Sequence, residues 1–223
     1  MCNLYSLTKG QQSIRELTRT LRDRSGNLPP MPGVYPDTHA PMVRNSPEGR
    51  ELVMGRWGMP SPAMLLRGKA TDPGVTNVRN TASAHWRPWL GVAHRCVVPF
   101  TSFAEPTVTP DGRRSRAWFA LAKETPLACF AGIWTRWASV RRLKEGETTN
   151  DLFAFLTCPP NAEVAALHPK AMPVVLTTNA EIDTWLDASW PEAQALQRPL
   201  PDGALCLLPP AEPQPAPAQP RLL

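Results

Sequence analysis

Hydrophobic and polar positions alternate with two periods along this chain. Near the start, Ile14, Leu17 and Leu21 recur at helical spacing, Thr8 and Gln11 stand as a capping box, and "SGNLPP" supplies the stop. One short amphipathic helix is predicted there. From Leu28 to Pro47 proline is frequent and periodicity is lost, which predicts an ordered surface loop and a candidate groove wall. Beyond it, apolar, β-branched or aromatic runs bounded by turn signals read as strands: "ELVMGRWGM", "HRCVVPFTSFAE", "RAWFALA", "ACFAGIWTRW", "NDLFAFLTC", "MPVVLT" and "ALCLLP". Two more short helices are predicted. One runs from Asn161 to Leu167 and is stopped by Pro169; the other begins at Asn179 with Ile182, Trp185 and Leu186 on its inner face.

Strands therefore outnumber helices, and the fold class read from the pattern is α+β: one strand-rich domain over residues 1–208 with a few short helices. The remaining stretch, "PPAEPQPAPAQPRLL" (209–223), is too rich in proline and too poor in apolar residues to pack, and is expected to be a disordered tail. A chain of 223 residues, 42% of them hydrophobic, suffices for one sizeable core. It has no run of about 18 apolar residues and no signal-like start, so a cytoplasmic protein with reduced thiols is expected, nucleoid-associated if bacterial. No membrane partner is expected, and with no long amphipathic dimerisation helix a monomer is expected.

The five cysteines (Cys2, Cys96, Cys129, Cys158 and Cys206) are scattered singly, which argues against a disulfide framework and a zinc site. His94 and Cys96 form the nearest mixed pair, but the spacing of zinc motifs is missing. His39, His85 and His94 read as structural. No dinucleotide or phosphate-loop signature occurs, so neither metal nor cofactor is expected.

Charge adds a partner class. Lys and Arg number 24 against 19 Asp and Glu, a net charge of +5. Arginine dominates the basic side and recurs beside tryptophan in "GRWGMP", "HWRPWL" and "WTRWASVRRLK". Arginine's planar fork suits phosphate and aromatic rings suit unstacked bases. A solvated basic surface around a Trp-rich core explains the same composition.

Four places could carry chemistry. If Met1 is removed, Cys2 presents an α-amine and a thiol on neighbouring carbons. With an aldehyde, the amine forms a Schiff base and the thiol closes a five-membered thiazolidine; with an amide or ester, the thiolate attacks and the amine acts as base. A packed Cys2 or a retained Met1 is the inert alternative. In "GVTNVRNTASAHWRPWL", Asn77, Arg79 and Thr81 alternate, and in an extended segment they face one surface. Glu105 ends the apolar run "CVVPFTSFAEP"; partly buried at a cleft it has a raised pKa and can pass protons, whereas at a wet strand end it is an ordinary carboxylate. His168, in "AALHPKAMPVVL", is either a proton shuttle or a cap on the helix dipole.

Together these residues resemble the SOS response-associated peptidase family of abasic-site processing proteins, over roughly Cys2 to Leu208. The family begins Met-Cys and depends on that cysteine after Met removal. Its Asn-x-Arg element matches Asn77 and Arg79, its strand-end Glu matches Glu105, and its His-x-Arg-Met-Pro element matches His168 to Pro173. The chain departs from the pattern in "CNLY" for Cys-Gly-Arg, in "YPDTHAP" for Tyr-Asn-x-Ala-Pro, in Pro106 where Trp is usual, and in Lys170 with one extra residue before Met-Pro. These differences bear on the DNA groove more than on the chemistry.

The resemblance implies a mixed sheet or barrel fold and a sensor of abasic sites in single-stranded DNA. Cys2 would bond the sugar C1 as a thiazolidine, Asn77 would position the terminus and sugar, Glu105 would handle protons, and His168 would assist ring opening. Arg79, Trp57, Lys170 and Thr81 would contact the DNA. Two rivals are an N-terminal-nucleophile amide hydrolase and a basic nucleic-acid-binding module without chemistry. Loss of the Met-Cys-Gly-Ile start and the Asn77, Glu105 and His168 set tell against the first.

Overall fold

Pairing of the apolar runs decides the architecture. In chain order the elements are β1 (Leu4–Leu7), α1 (Gln11–Thr18), β2 (Arg22–Asp23), β3 (Met31–Val34), β4 (His39–Ser46), β5 (Gly49–Trp57), α2 (Ala63–Leu66), β6 (Asn77–Val78), β7 (Arg95–Phe100), β8 (Ser102–Val108), β9 (Arg114–Ala120), β10 (Ala128–Val140), β11 (Glu147–Cys158), α3 (Ala162–Ala165), β12 (Met172–Pro173), β13 (Val175–Leu176), α4 (Asn179–Asp187), α5 (Trp190–Gln194) and β14 (Cys206–Leu207). The computed structural model describes residues 2–109 and 111–209, so the expected tail lies outside the described residues from position 210 onward.

β11, β10, β7, β4 and β5 pair antiparallel in that order. A parallel pairing of β5 with β11, at Arg56 with Leu152 and Trp57 with Phe153, then closes the ring. The result is a five-stranded mixed barrel, which leaves these strands no open edge along the paired segment. β14, β9, β8, β1 and β3 form a separate antiparallel sheet against it. The aromatic residues of both layers meet in the core. Tyr5 packs edge-on against Trp57 at 5.2 Å and Phe130 at 5.7 Å, and Phe100 stacks on Phe130 at 3.8 Å. Gly55 is required by this packing, because a Cβ there would lie 2.9 Å from the Phe153 ring.

The strand-rich α+β reading holds, with three local corrections. The run "HRCVVPFTSFAE" is two strands, β7 in the barrel and β8 in the second sheet. The chain turns the corner at Thr101, whose N–H donates to the Ser6 carbonyl at 2.7 Å. Both halves are buried, so hydrophobicity alone shows no break. The Pro-rich stretch 28–47 contains β3 and all of β4. Pro41 is accommodated because β4 pairs with β7 only at Val43 and Arg44.

The first helix is shorter than predicted. Its N-cap is Gly10, with no side-chain cap, because the Thr8 backbone N–H and hydroxyl both lie 3.3 Å from the Thr101 hydroxyl. Gln11 instead fastens the following loop, donating to Asp23 at 2.9 Å and the Gly26 carbonyl at 2.8 Å. The helix ends at Arg19 in a left-handed conformation (φ 54°), leaving Leu21 exposed. By contrast, α4 starts at Thr178 with a true capping box to Glu181 and buries Ile182, Trp185 and Leu186 as predicted. Among the described residues, no helix is long and apolar enough to cross a membrane.

Candidate functional site

The antiparallel pairing of β1 with β8, Leu4 opposite Ala104, carries the chain start beside Glu105, which lies in the middle of β8 and not at the strand end expected from the apolar run, because pairing with β9 continues to Val108. Cys2 is fully buried there, and its thiol donates to the Leu4 carbonyl at 3.4 Å. Burial, and next the charge of Glu105, push this thiol well above its ordinary pKa. Glu105 is itself fully buried in side-chain terms, and burial raises its carboxyl to about 7. A carboxyl poised at that value can give and take a proton near neutrality.

Asn77 arrives from another direction. β6 pairs in parallel with β11, placing Asn77 opposite Phe155. The segment before it is held by the indole N–H of Trp57, which donates to the Thr76 carbonyl at 3.0 Å. Asn77 Nδ2 then donates to the Cys2 carbonyl at 2.9 Å and to the Thr76 hydroxyl at 2.9 Å. Its Oδ1 is buried with no partner among the described residues. A buried amide oxygen without a donor is costly, so a bound group that supplies one is favoured.

His168 closes the site. Asn161 caps α3 by accepting from the Val164 N–H at 3.3 Å, and the His168 N–H returns to the Val164 carbonyl at 2.7 Å. The ring Nε2 thereby sits 3.6 Å from Glu105 Oε2. Burial, and then the charge of Lys170, lower the pKa of the imidazole, which favours its neutral form. Cys2, Asn77, Glu105 and His168 thus come together from four separate parts of the chain.

The four residues expected to touch DNA are placed differently. Arg79 is exposed, and its guanidinium donates to the Lys170 carbonyl, so one cation braces the segment that carries the other. Trp57 is a correction: it is 1% exposed, stacked on Phe153 and wedged against Tyr5 and Phe155, so its ring cannot receive a base. Thr81 is a second correction. β6 ends at Val78, so the alternation fails. Asn77 and Thr81 are buried, and the Thr81 hydroxyl donates to Gln197 at 3.1 Å.

Two residues escaped the sequence reading. Gln197 Nε2 donates to the Arg79 carbonyl at 2.8 Å and the Thr157 carbonyl at 3.0 Å, so one amide latches the stretch 79–81 onto β11. Thr157 carries a buried hydroxyl without a partner among the described residues, and it pairs with Pro173 of the His168 segment. Neither had a signal in the sequence: one is a glutamine in a loop, the other a threonine in an apolar strand. Cys96, Cys129 and Cys158 are buried, as small hydrophobes in strands are. Among the described residues no group of three His, Cys, Asp or Glu side chains could hold a metal ion.

The fold is shared with solved structures. A protein from Bordetella bronchiseptica superposes with a TM-score of 0.69 at 23% identity, covering 93% of this chain and 98% of that one. A protein from Bacteroides thetaiotaomicron gives 0.70 at 19% identity, covering 92% and 90%. A phage-related protein from Bordetella bronchiseptica gives 0.66 at 19% identity, covering 95% of each chain. No curated protein matches the chain. The family comparison matches residues 1–209 to SOS response associated peptidase (SRAP), and the chain belongs to that family.

Proposed function

We propose that this protein recognises abasic sites in single-stranded DNA and bonds them covalently through Cys2 once Met1 is removed. The observation that carries the reading is the company Cys2 keeps: the amide of Asn77 on its carbonyl and the charge of Glu105 on its thiol. A terminal cysteine needs its backbone held still and a proton carrier beside it; both are present. Hydrolysis of the Met1–Cys2 amide frees the α-amine, in keeping with the peptidase description of the family.

The chemistry then follows in balanced steps. His168, kept neutral by its setting, assists opening of the deoxyribose hemiacetal to the aldehyde by relaying a proton from the C1 hydroxyl to the ring oxygen. The Cys2 amine adds to C1. Glu105, protonated in a substantial fraction near neutrality, gives its proton to the departing hydroxyl, and water leaves as the Schiff base forms. The iminium nitrogen returns its proton to the Glu105 carboxylate, the thiol sulfur then adds to the same carbon, the thiol proton passes to nitrogen, and a thiazolidine closes. One water is lost overall. A high thiol pKa suits this order, since the sulfur is consumed last and holds its proton until a basic nitrogen is beside it.

The buried Asn77 Oδ1, without a partner among the described residues, is the acceptor we assign to the new amine or to a sugar hydroxyl. Arg79 and Lys170 supply cationic charge for phosphates without reading sequence. Intact-mass measurement tests the reading. Protein beginning at Cys2, mixed with an abasic oligonucleotide, should gain the mass of the DNA less one water, and the product should resist borohydride, which a trapped imine would not. Absence of any such species would overturn the proposal.

A further inference from the structure

The residues that follow Glu105 and those that precede His168 line a cleft in which none of the four clustered residues takes part. It has a volume of about 540 Å³ and opens between the β8–β9 hairpin and the turn after α3. Pro106, Thr107 and Val108 follow Glu105 along one wall with Arg114 beside them, while Ala166 and Leu167 lead into His168 on the other. Val108 is 64% exposed and Leu167 38% exposed, so two apolar side chains on opposing elements face solvent across one space. Isolated exposed apolar residues are ordinary; a pair lining a cleft beside a reactive centre is a recognition feature.

The hairpin also carries charge selectively. Arg113 is paired with Asp111 at 3.1 Å, and Arg116 lies over the Tyr35 ring at 5.6 Å. Arg114 has no acidic partner among the described residues, and it lines the cleft. An unpaired guanidinium beside apolar walls matches a nucleotide, with its phosphate and its flat base, better than it matches an acidic peptide.

Resting on the reading of the protein as a binder of single-stranded DNA, we propose that this cleft seats the nucleotide adjoining the lesion on one side. Its base lies against Val108 and Leu167 and its phosphate on Arg114. A strand whose damaged sugar reaches Cys2 must leave the site on some side, and the cleft walls are the chain segments directly after Glu105 and directly before His168. Arg79 and Lys170 serve the strand elsewhere along its path. The protein then grips the two flanks of a lesion by different means, and only one flank depends on the hairpin.

The test separates this from the covalent chemistry. Full-length Cys2→Ala protein is titrated with oligonucleotides bearing a non-reactive tetrahydrofuran abasic analogue, extended on both sides, on the 5′ side alone or on the 3′ side alone. Binding is followed by fluorescence anisotropy, with Val108→Ser and Arg114→Ala added singly; both positions are exposed, and unchanged melting verifies the fold. Each should weaken binding by about fivefold for the doubly extended DNA and for one singly extended DNA, with no change for the other. Arg114→Ala should also reduce the slope of log affinity against log salt by about 0.7. Equal affinities throughout, or equal losses on both singly extended oligonucleotides, would overturn the inference. Failure to bind any of them would remove both it and the DNA reading. An asymmetric loss from a protein whose Cys2 form makes no adduct would leave the cleft standing and overturn only the covalent chemistry.

Discussion

The side-chain amide of Asn77 holds the carbonyl of Cys2 at 2.9 Å, across a sequence separation of 75 residues. The bond fixes the residue that carries both prospective nucleophiles, and its geometry comes from strand pairing: β1 on β8 for Cys2, β6 on β11 for Asn77. Replacing Asn77 by Ala leaves a buried carbonyl without its donor. We expect a loss of about 1–2 kcal/mol in denaturant unfolding. Adduct formation should slow by on the order of tenfold to a hundredfold, because the nucleophile is no longer held in place.

Glu105→Gln tests the proton carrier. The rate of adduct formation should fall by about a hundredfold, and the inflection of the wild-type rate profile near about pH 7 should vanish. Stability gives an independent reading. The carboxyl is raised from its ordinary 4.5 to about 7 in the folded protein, so the folded state holds the proton more tightly than the unfolded chain does. Its favourable contribution is complete below 4.5 and is lost as pH rises through 7. Wild type should therefore lose melting temperature relative to Glu105→Gln across that window.

Trp57 discriminates a base platform from a core residue. Trp57→Phe should lower stability by about 1–2 kcal/mol through lost packing and the lost bond to the Thr76 carbonyl, and leave the affinity for undamaged single-stranded DNA unchanged. A selective loss of DNA affinity with stability intact would contradict the burial argument.

Gln197 is a positioning residue. Gln197→Leu removes the latch between the stretch 79–81 and β11 and should cost about 1–2 kcal/mol. The adduct rate should fall at saturating DNA, and it should fall further for Arg79-dependent binding than for a Gln197→Leu, Arg79→Ala pair measured against Arg79→Ala alone. That non-additivity is absent if the residue merely stabilises the fold.

How much of this was legible in the sequence varies with the range of the interaction. α4 was readable because Thr178, Glu181 and the spacing of Ile182, Trp185 and Leu186 are local signals that packing did not overrule. β10 and β11 were readable as long apolar runs. Thr8 misled because its hydrogen bonds go to Thr101, far along the chain, in place of the helix it precedes. β4 was hidden by prolines that tertiary pairing tolerates, and the corner at Thr101 by burial on both sides. For the site, Cys2, Glu105 and His168 each had an inert alternative on residue type alone, and only their order along the chain, through the family resemblance, singled them out. The exposure of Arg79 against the burial of Trp57 and Thr81 was not legible, since strand length and barrel closure decide it.

The measurement that tests the central claim most directly is a denaturing gel of the full-length protein, processed to begin at Cys2, with single-stranded DNA carrying one abasic site. Undamaged DNA and the Cys2→Ala protein run beside it. The account predicts a heat-stable shifted band that requires both the lesion and Cys2. No band from protein shown by mass to begin at Cys2, or an equal band from Cys2→Ala, would contradict it.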